Sequence, residues 1–272
     1  MKMIGLIGGM SWESTALYYR IINEQVKQQL GGLHSARSLM YSVDFQQIEK
    51  LQVAGEWQQA GEILAEAARS LEKGGADFIV LCTNTMHKVA DHITTATRIP
   101  LLHIADATAQ RIRQAGVKRV GLLATAFTME QEFYKGRLEQ QYDIEVLVPD
   151  ATGRKTVHDI IYQELCLGVI REESRAQYRD IIAQLVAQGA EAIILGCTEI
   201  TLLVKAEDAA VPLFDTTLIH AQDAVKLALA TNNQPANYKL CYYVFIEGTT
   251  PTRMVAQGCA RTGCQYWQLF CG

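Results

Sequence analysis

The segment Gly75–Thr85, GADFIVLCTNT, returns at Gly189–Glu199 as GAEAIILGCTE, an offset of 114 residues. Ile99–Gln110, IPLLHIADATAQ, returns at Val211–Gln222 as VPLFDTTLIHAQ, offset by 112. Ile4–Met10, IGLIGGM, returns more weakly at Val120–Ala126 as VGLLATA, offset by 116. Three matches in one order, at nearly one spacing, argue for two halves built on a single unit of about 115 residues, a common domain size. A chain of this kind folds the same way twice, and equivalent turns of the two halves then meet.

Each half alternates strand-like and helical stretches. The apolar runs are Met3–Ile7, Arg37–Val43, Phe78–Leu81, Leu101–Ile104, Arg119–Leu123, Ile144–Val148, Ile193–Leu195 and Leu213–Phe214. Most are continuous rather than alternating, as in parallel strands buried on both faces. Between them, Glu62–Lys73 places Ile63, Leu64, Ala67 and Leu71 on one helical stripe, and Gly74-Gly75 follows where a C-cap is expected. This alternation predicts βαβ units and an α/β fold with mainly parallel sheets, which the repeat divides into two α/β halves. The expected boundaries are an N-terminal half over 1–115 and a C-terminal half over 116–216, with a helix near 217–230 packing back onto the first half. Residues 231–272 begin with TNNQP and lack helical periodicity, which sets them apart as an appendage outside the repeat.

Composition removes several function classes. A net charge of −4 provides no basic footprint for nucleic acid or an anionic membrane. No apolar run approaches the roughly 18 residues that a membrane span needs. The opening MKMIGLIGGMSWES is too short in its apolar part for a secretion signal and reads as a first buried strand, so a cytoplasmic protein is expected. The seven cysteines form no CxxC pair, which suits free thiols in a reducing compartment. Cys259 and Cys264 lack a matching His or Cys pair, so no zinc site is expected there. IGLIGGMS lacks the GxGxxG spacing, and no Walker lysine follows. Gly8, Gly9, Met10 and Ser11 instead read as a tight strand-to-helix turn closing a cleft floor. His87 and His103 follow strand ends and read as hydrogen-bonding scaffold rather than metal ligands.

In open α/β sheets, ligands bind beyond the carboxyl ends of the strands. Cys82-Thr83-Asn84-Thr85 and Gly196-Cys197-Thr198-Glu199 occupy two such ends, and the ungapped repeat pairs Thr83 with Cys197. Moving an α-proton from one face of an amino acid to the other requires a base on one side and an acid on the other. A thiol suits that role, and Cys197 stands where a helix begins, a place that favours a thiolate. Thr198, Asn84 and Thr85 can donate hydrogen bonds to an α-carboxylate. In the first half, strand alternation allows either Cys82 or Thr83 to face the ligand.

IGLIGGMS, VLCTNTMHKVAD, LLATAFTM and ILGCTEI resemble, in order, the successive signatures of the aspartate/glutamate racemase superfamily. SVDFQQIEKLQ and DTTLIHAQDA further resemble its bacterial branch of L-aspartate/glutamate-specific or broad-specificity amino-acid racemases. The resemblance implies two-base racemisation of an amino-acid substrate, with L-aspartate and L-glutamate favoured. It also implies two pseudo-symmetric α/β domains with the active site in the cleft between them, and a homodimer with no pyridoxal phosphate and no metal. Cys197 matches the family's second catalytic cysteine. The first normally sits immediately before Asn-Thr, which here is Thr83, with Cys82 one residue earlier. The implied substrate-lining set is Met10, Ser11, Gln52, Asn84, Thr85, Thr125, Thr128, Cys166, Thr198 and Glu199. Members acting on acidic substrates carry basic residues at positions corresponding to Ile48 and Cys166. Gln52 can supply an amide donor in their place, which also tolerates neutral polar side chains. The same superfamily includes small-carboxylate isomerases, decarboxylases and hydantoin racemases, and a non-catalytic protein that binds a small acid is a reading from another class.

Overall fold

Two four-stranded parallel sheets of identical strand order frame the computed structural model, which describes residues 1–230. The first contains β1 (Ile4–Gly8), β2 (Ser38–Ser42), β3 (Phe78–Leu81) and β4 (Leu101–Leu102), in the order β2-β1-β3-β4. The second contains β5 (Arg119–Leu123), β6 (Glu145–Leu147), β7 (Ala192–Leu195) and β8 (Leu213–Asp215), in the order β6-β5-β7-β8. Every pairing is parallel, with Ile4 opposite Phe78 and Val120 opposite Ala192. The offset of 114 carries β3 directly onto β7. All eight apolar runs form strands, with small differences at their ends.

Helices cover both sheets. The first half contains α1 (Trp12–Leu30), α2 (Phe45–Ala54), α3 (Trp57–Lys73), α4 (Ala90–Ala96) and α5 (Ile104–Gln114). The second contains α6 (Ala126–Glu130), α7 (Glu132–Tyr142), α8 (Ala151–Gln163), α9 (Glu172–Ala187), α10 (Ile200–Leu203) and finally α11 (Thr216–Leu229). Helix α3 ends at Lys73, as its stripe predicts. However, Gly74 keeps a right-handed conformation, and Gly75 is the residue with positive φ, +91°. Its repeat partner Gly189 has φ +102°, so the repeat preserves the one residue type that takes this conformation without strain.

β3 shows how the strands divide the core. Ile79 and Leu81 pack with Leu64, Ala67 and Leu71 of α3, while Phe78, Val80 and Cys82 pack with Tyr18 and Ile22 of α1. Ala221, Ala224 and Val225 of α11 join that second cluster with Ile4 and Leu6, so the last described helix covers the first sheet. Burial of each large side chain here stabilises the fold by roughly 1.5–3 kcal/mol. Residues 1–230 form one compact unit. The expected appendage at 231–272, with its four cysteines, lies outside the described residues. Among the described residues, no helix is long and apolar enough to cross a membrane.

Candidate functional site

Four strand ends converge on one cleft. Met10 and Ser11 follow β1, Thr83, Asn84 and Thr85 follow β3, Thr125 follows β5, and Gly196, Cys197, Thr198 and Glu199 follow β7; all line it. Ser14, Phe45, Gln52, Ile161, Tyr162 and Cys166 complete the wall. The β1 turn depends on Gly9, whose φ is +94° and where a Cβ would lie 2.2 Å from the Val43 carbonyl oxygen. Any other residue would push this turn away from the cleft floor.

Hydrogen bonds stitch the two halves together across this space. The Ser11 hydroxyl donates to Glu199 Oε1 at 2.8 Å, and the Ser14 and Thr198 hydroxyls meet at 2.7 Å. The Thr85 and Thr125 hydroxyls lie 3.0 Å apart. Thr128 stands behind them, fully buried and outside the lining, 3.4 Å from Thr85 and 3.3 Å from Thr125. It therefore supports the wall rather than forming it.

Geometry separates Cys82 from Thr83. Cys82 shares the strand face of Phe78 and Val80, is 0% exposed, and points its sulfur at the Val80 carbonyl 3.8 Å away, inside the core against α1. Burial pushes its thiol strongly up, which keeps it neutral. Thr83 lines the cleft. Cys82 is thus withdrawn from contact with any ligand. Ile48 is likewise buried in the core cluster beneath α3 and does not line the cleft.

Cys197 meets a different environment from the one its position at a helix start suggests. α10 is a single turn, and the thiol donates a hydrogen bond to Glu199 Oε2 at 2.9 Å. Desolvation, then the Glu199 charge, push the thiol well above its ordinary value, outweighing the Glu199 backbone N–H that favours the thiolate. The resting state is therefore a neutral S–H held by a buried carboxylate, which also accepts the Ser11 hydroxyl. The helix-start expectation fails because burial and a neighbouring anion outweigh one turn of helix.

Two amides orient themselves by their partners. The Thr216 hydroxyl donates to the Leu195 carbonyl, so its oxygen accepts from Asn84 Nδ2 at 3.1 Å. That leaves Asn84 Oδ1 buried without a partner. The Gln52 Nε2 points at the acceptor sulfur of Met86 at 3.0 Å, leaving Gln52 Oε1 also unpartnered. At 5% and 4% exposure, both are buried oxygens on cleft-lining residues, open to a hydrogen-bond donor. The free atoms are thus acceptors, not the donors that the sequence suggests for Asn84 and Gln52. Among the described residues, no lysine, arginine or histidine lines the cleft.

The sequence pattern of the Asp/Glu/Hydantoin racemase family matches residues 7–224, which span both sheets and every lining turn. The chain belongs to this family. A candidate Asp/Glu racemase structure from Yersinia pestis is 61% identical, covering 85% of this chain and all of that one, with a TM-score of 0.81. An aspartate racemase homologue from Pyrococcus horikoshii OT3 is 34% identical, covering 84% and 99%, with a TM-score of 0.72. The curated broad specificity amino-acid racemase RacX of Bacillus subtilis (strain 168) is 23% identical over 84% of this chain and 99% of its own.

Within this racemase-family fold, sequence reading missed Ser14, Phe45, Ile161 and Tyr162 as lining residues. Apolar residues at helical spacing carry no mark that separates a cleft wall from a core. Cys166 does line the cleft, where burial first, then Glu199 and Glu13, push its thiol up to about 12. It therefore contributes a small neutral surface rather than a charge.

Proposed function

We propose that this racemase-family protein interconverts the enantiomers of amino acids without a cofactor, using Cys197 and Thr83 as its two proton-transferring groups. One observation carries the reading: repeat-equivalent residues from the two halves, a thiol and a hydroxyl, line the same cleft. Cys197 takes the α-proton once its own proton has been lost to solvent, and the Thr83 hydroxyl serves the opposite face. An α-ammonium satisfies Asn84 Oδ1 and faces Glu199, and the threonine hydroxyls of Thr85, Thr125 and Thr198 serve the α-carboxylate.

The side-chain end contains Gln52 Oε1, Phe45 and Cys166 and has no cation. Side chains ending in a hydroxyl or carboxamide supply the hydrogen that Gln52 Oε1 lacks, so they are expected to react alongside aspartate and glutamate. The test is deuterium incorporation at Cα, followed by NMR in D2O over acidic and neutral amino acids. Exchange with members of both sets is the expected outcome. No exchange with any amino acid overturns the reading and leaves a related small carboxylate or a binding role.

The state of Cys197 sets a pH dependence. A thiol held above its ordinary value gains its basic form only as pH rises, so abstraction by Cys197 accelerates toward alkaline pH. Glu199→Gln removes a negative neighbour and leaves the S–H at most a neutral amide oxygen as acceptor. The thiol then ionises at lower pH, and the rise in rate moves down with it. Thiolate ultraviolet absorbance and the pH–rate profile read the shift independently. A titration unchanged in Glu199→Gln would remove Glu199 from this role.

A further inference from the structure

Thr83 lines the cleft just beyond a strand end, where the setting of its peptide decides which way its hydroxyl points. Something must hold that peptide. The Thr83 carbonyl oxygen lies 2.7 Å from Nδ1 of His87, a buried ring four residues further along the chain. The other ring nitrogen, Nε2, is 3.2 Å from the backbone N–H of Ile104, the first residue of α5. An N–H can only donate, so Nε2 of His87 is the acceptor, and the ring proton must sit on Nδ1, donating to Thr83. One imidazole in one tautomer thus ties the turn after β3 to the helix start after β4.

Two further imidazoles pack against it. The His87 and His103 ring centres are 4.5 Å apart, and those of His87 and His220 are 5.9 Å apart. His103 Nδ1 accepts the Ala105 N–H at 3.2 Å. His220 lies between the Tyr18 hydroxyl at Nδ1 and the Leu102 carbonyl at Nε2, each at 2.8 Å. The Leu102 oxygen accepts, so the proton of His220 is on Nε2, and Tyr18 donates to Nδ1. Each ring bonds a backbone group between Thr83 and Ala105, and a charge on His87 would oppose a charge on either neighbour. The charged groups facing the cluster are Arg137, paired with Asp106 at 2.5 and 2.8 Å, and Asp223. Burial first, then the neighbouring rings and Arg137, hold His87 well below its ordinary value, and burial lowers His220 to about 4.

We propose that His87 is a positioning residue for the racemisation, a neutral Nδ1–H imidazole that fixes the Thr83 peptide so that the Thr83 hydroxyl faces the substrate. The assignment rests on the racemase reading above. His87 touches neither the cleft nor Cys197, so it acts on one of the two proton-transfer groups only. Its loss should therefore separate two reactions that a general loss of structure would reduce together. Inversion at Cα needs both groups, whereas exchange with retention needs Cys197 alone.

The experiment measures inversion by chiral chromatography and retention-only deuterium exchange by NMR in wild type, Cys197→Ala, His87→Gln and His87→Asn. A glutamine amide reaches the Nε2 position and loses the donor to Thr83, whereas an asparagine amide reaches the Nδ1 position and keeps it. His87→Gln should lower inversion by up to roughly a hundredfold, the scale of a 1 Å misplacement, with retention exchange little changed. His87→Asn should recover most of the inversion. Inversion and retention exchange falling together, or equal losses in both variants, would overturn the assignment. Wild-type exchange that disappears in Cys197→Ala keeps the racemase reading intact whichever way the His87 variants behave; no exchange in wild type overturns both. If the variants do not fold, nitrogen-15 NMR of the wild-type imidazoles decides instead. His87 should show the Nδ1–H tautomer and no titration across the neutral range, and an Nε2–H tautomer would overturn the proposal.

Discussion

Cys197→Ser should lose α-proton exchange by roughly 10²–10⁴-fold, the contribution usual for a positioned general base, while folding normally. Serine is chosen because of Glu199. That carboxylate is 8% exposed and accepts hydrogen bonds from Ser11 and Cys197. Cys197→Ala leaves one of its oxygens without a donor, and an unsatisfied buried group costs about 1–3 kcal/mol. A serine hydroxyl keeps that donor and fits the smaller volume, but it is a far poorer base than a thiolate. Loss of exchange in both variants, with thermal denaturation unchanged in the serine form, assigns the effect to the thiol rather than to the fold. Exchange in Cys197→Ser within about twofold of wild type would move the base elsewhere, most directly to Glu199 itself.

Much of this architecture is legible in the chain, for a physical reason. A strand buried on both faces tolerates only apolar residues, so β1, β3, β7 and β5 beyond Arg119 appear as unbroken runs, and the repeat at offsets of 114 and 116 states their equivalence. β4 ends two residues before its apolar run because the His103 side chain caps α5, an unusual capping residue that propensity does not suggest. The turns that carry the lining residues are equally visible, since polar residues directly after a buried strand have no core role to fill.

What stayed hidden depends on partners distant in sequence. Strand alternation allows Cys82 either face; the packing of α1 and α11 against Phe78, Val80 and Cys82 decides it. Asn84 reads as a donor until Thr216, 132 residues later, takes its amide nitrogen and leaves the oxygen free. The same limit applies to Cys197. Its place before a helix is plain in the sequence, but the return of Glu199 onto its sulfur is a property of the folded turn.

Thr83→Ala should sharply lower inversion while leaving Cys197-dependent exchange with retention, because only the second face of the substrate loses its proton-transferring group. The expected loss of inversion is about 10²–10⁴-fold. A threonine hydroxyl is a far weaker acid and base than a thiol near neutral pH, so the wild-type enzyme should already be slow or biased in direction, with abstraction by Cys197 favoured. Thr83→Cys follows from the same reasoning and should raise inversion in the disfavoured direction, since the repeat places a thiol at the equivalent point of the other half. Measuring both directions from pure enantiomers separates these cases. If Thr83→Ala races and exchanges as wild type does in both directions, Thr83 has no role. Cys82 would not replace it without rearrangement of the core, since its sulfur faces the Val80 carbonyl and not the cleft. Cys197 would then serve one face of the substrate and solvent the other.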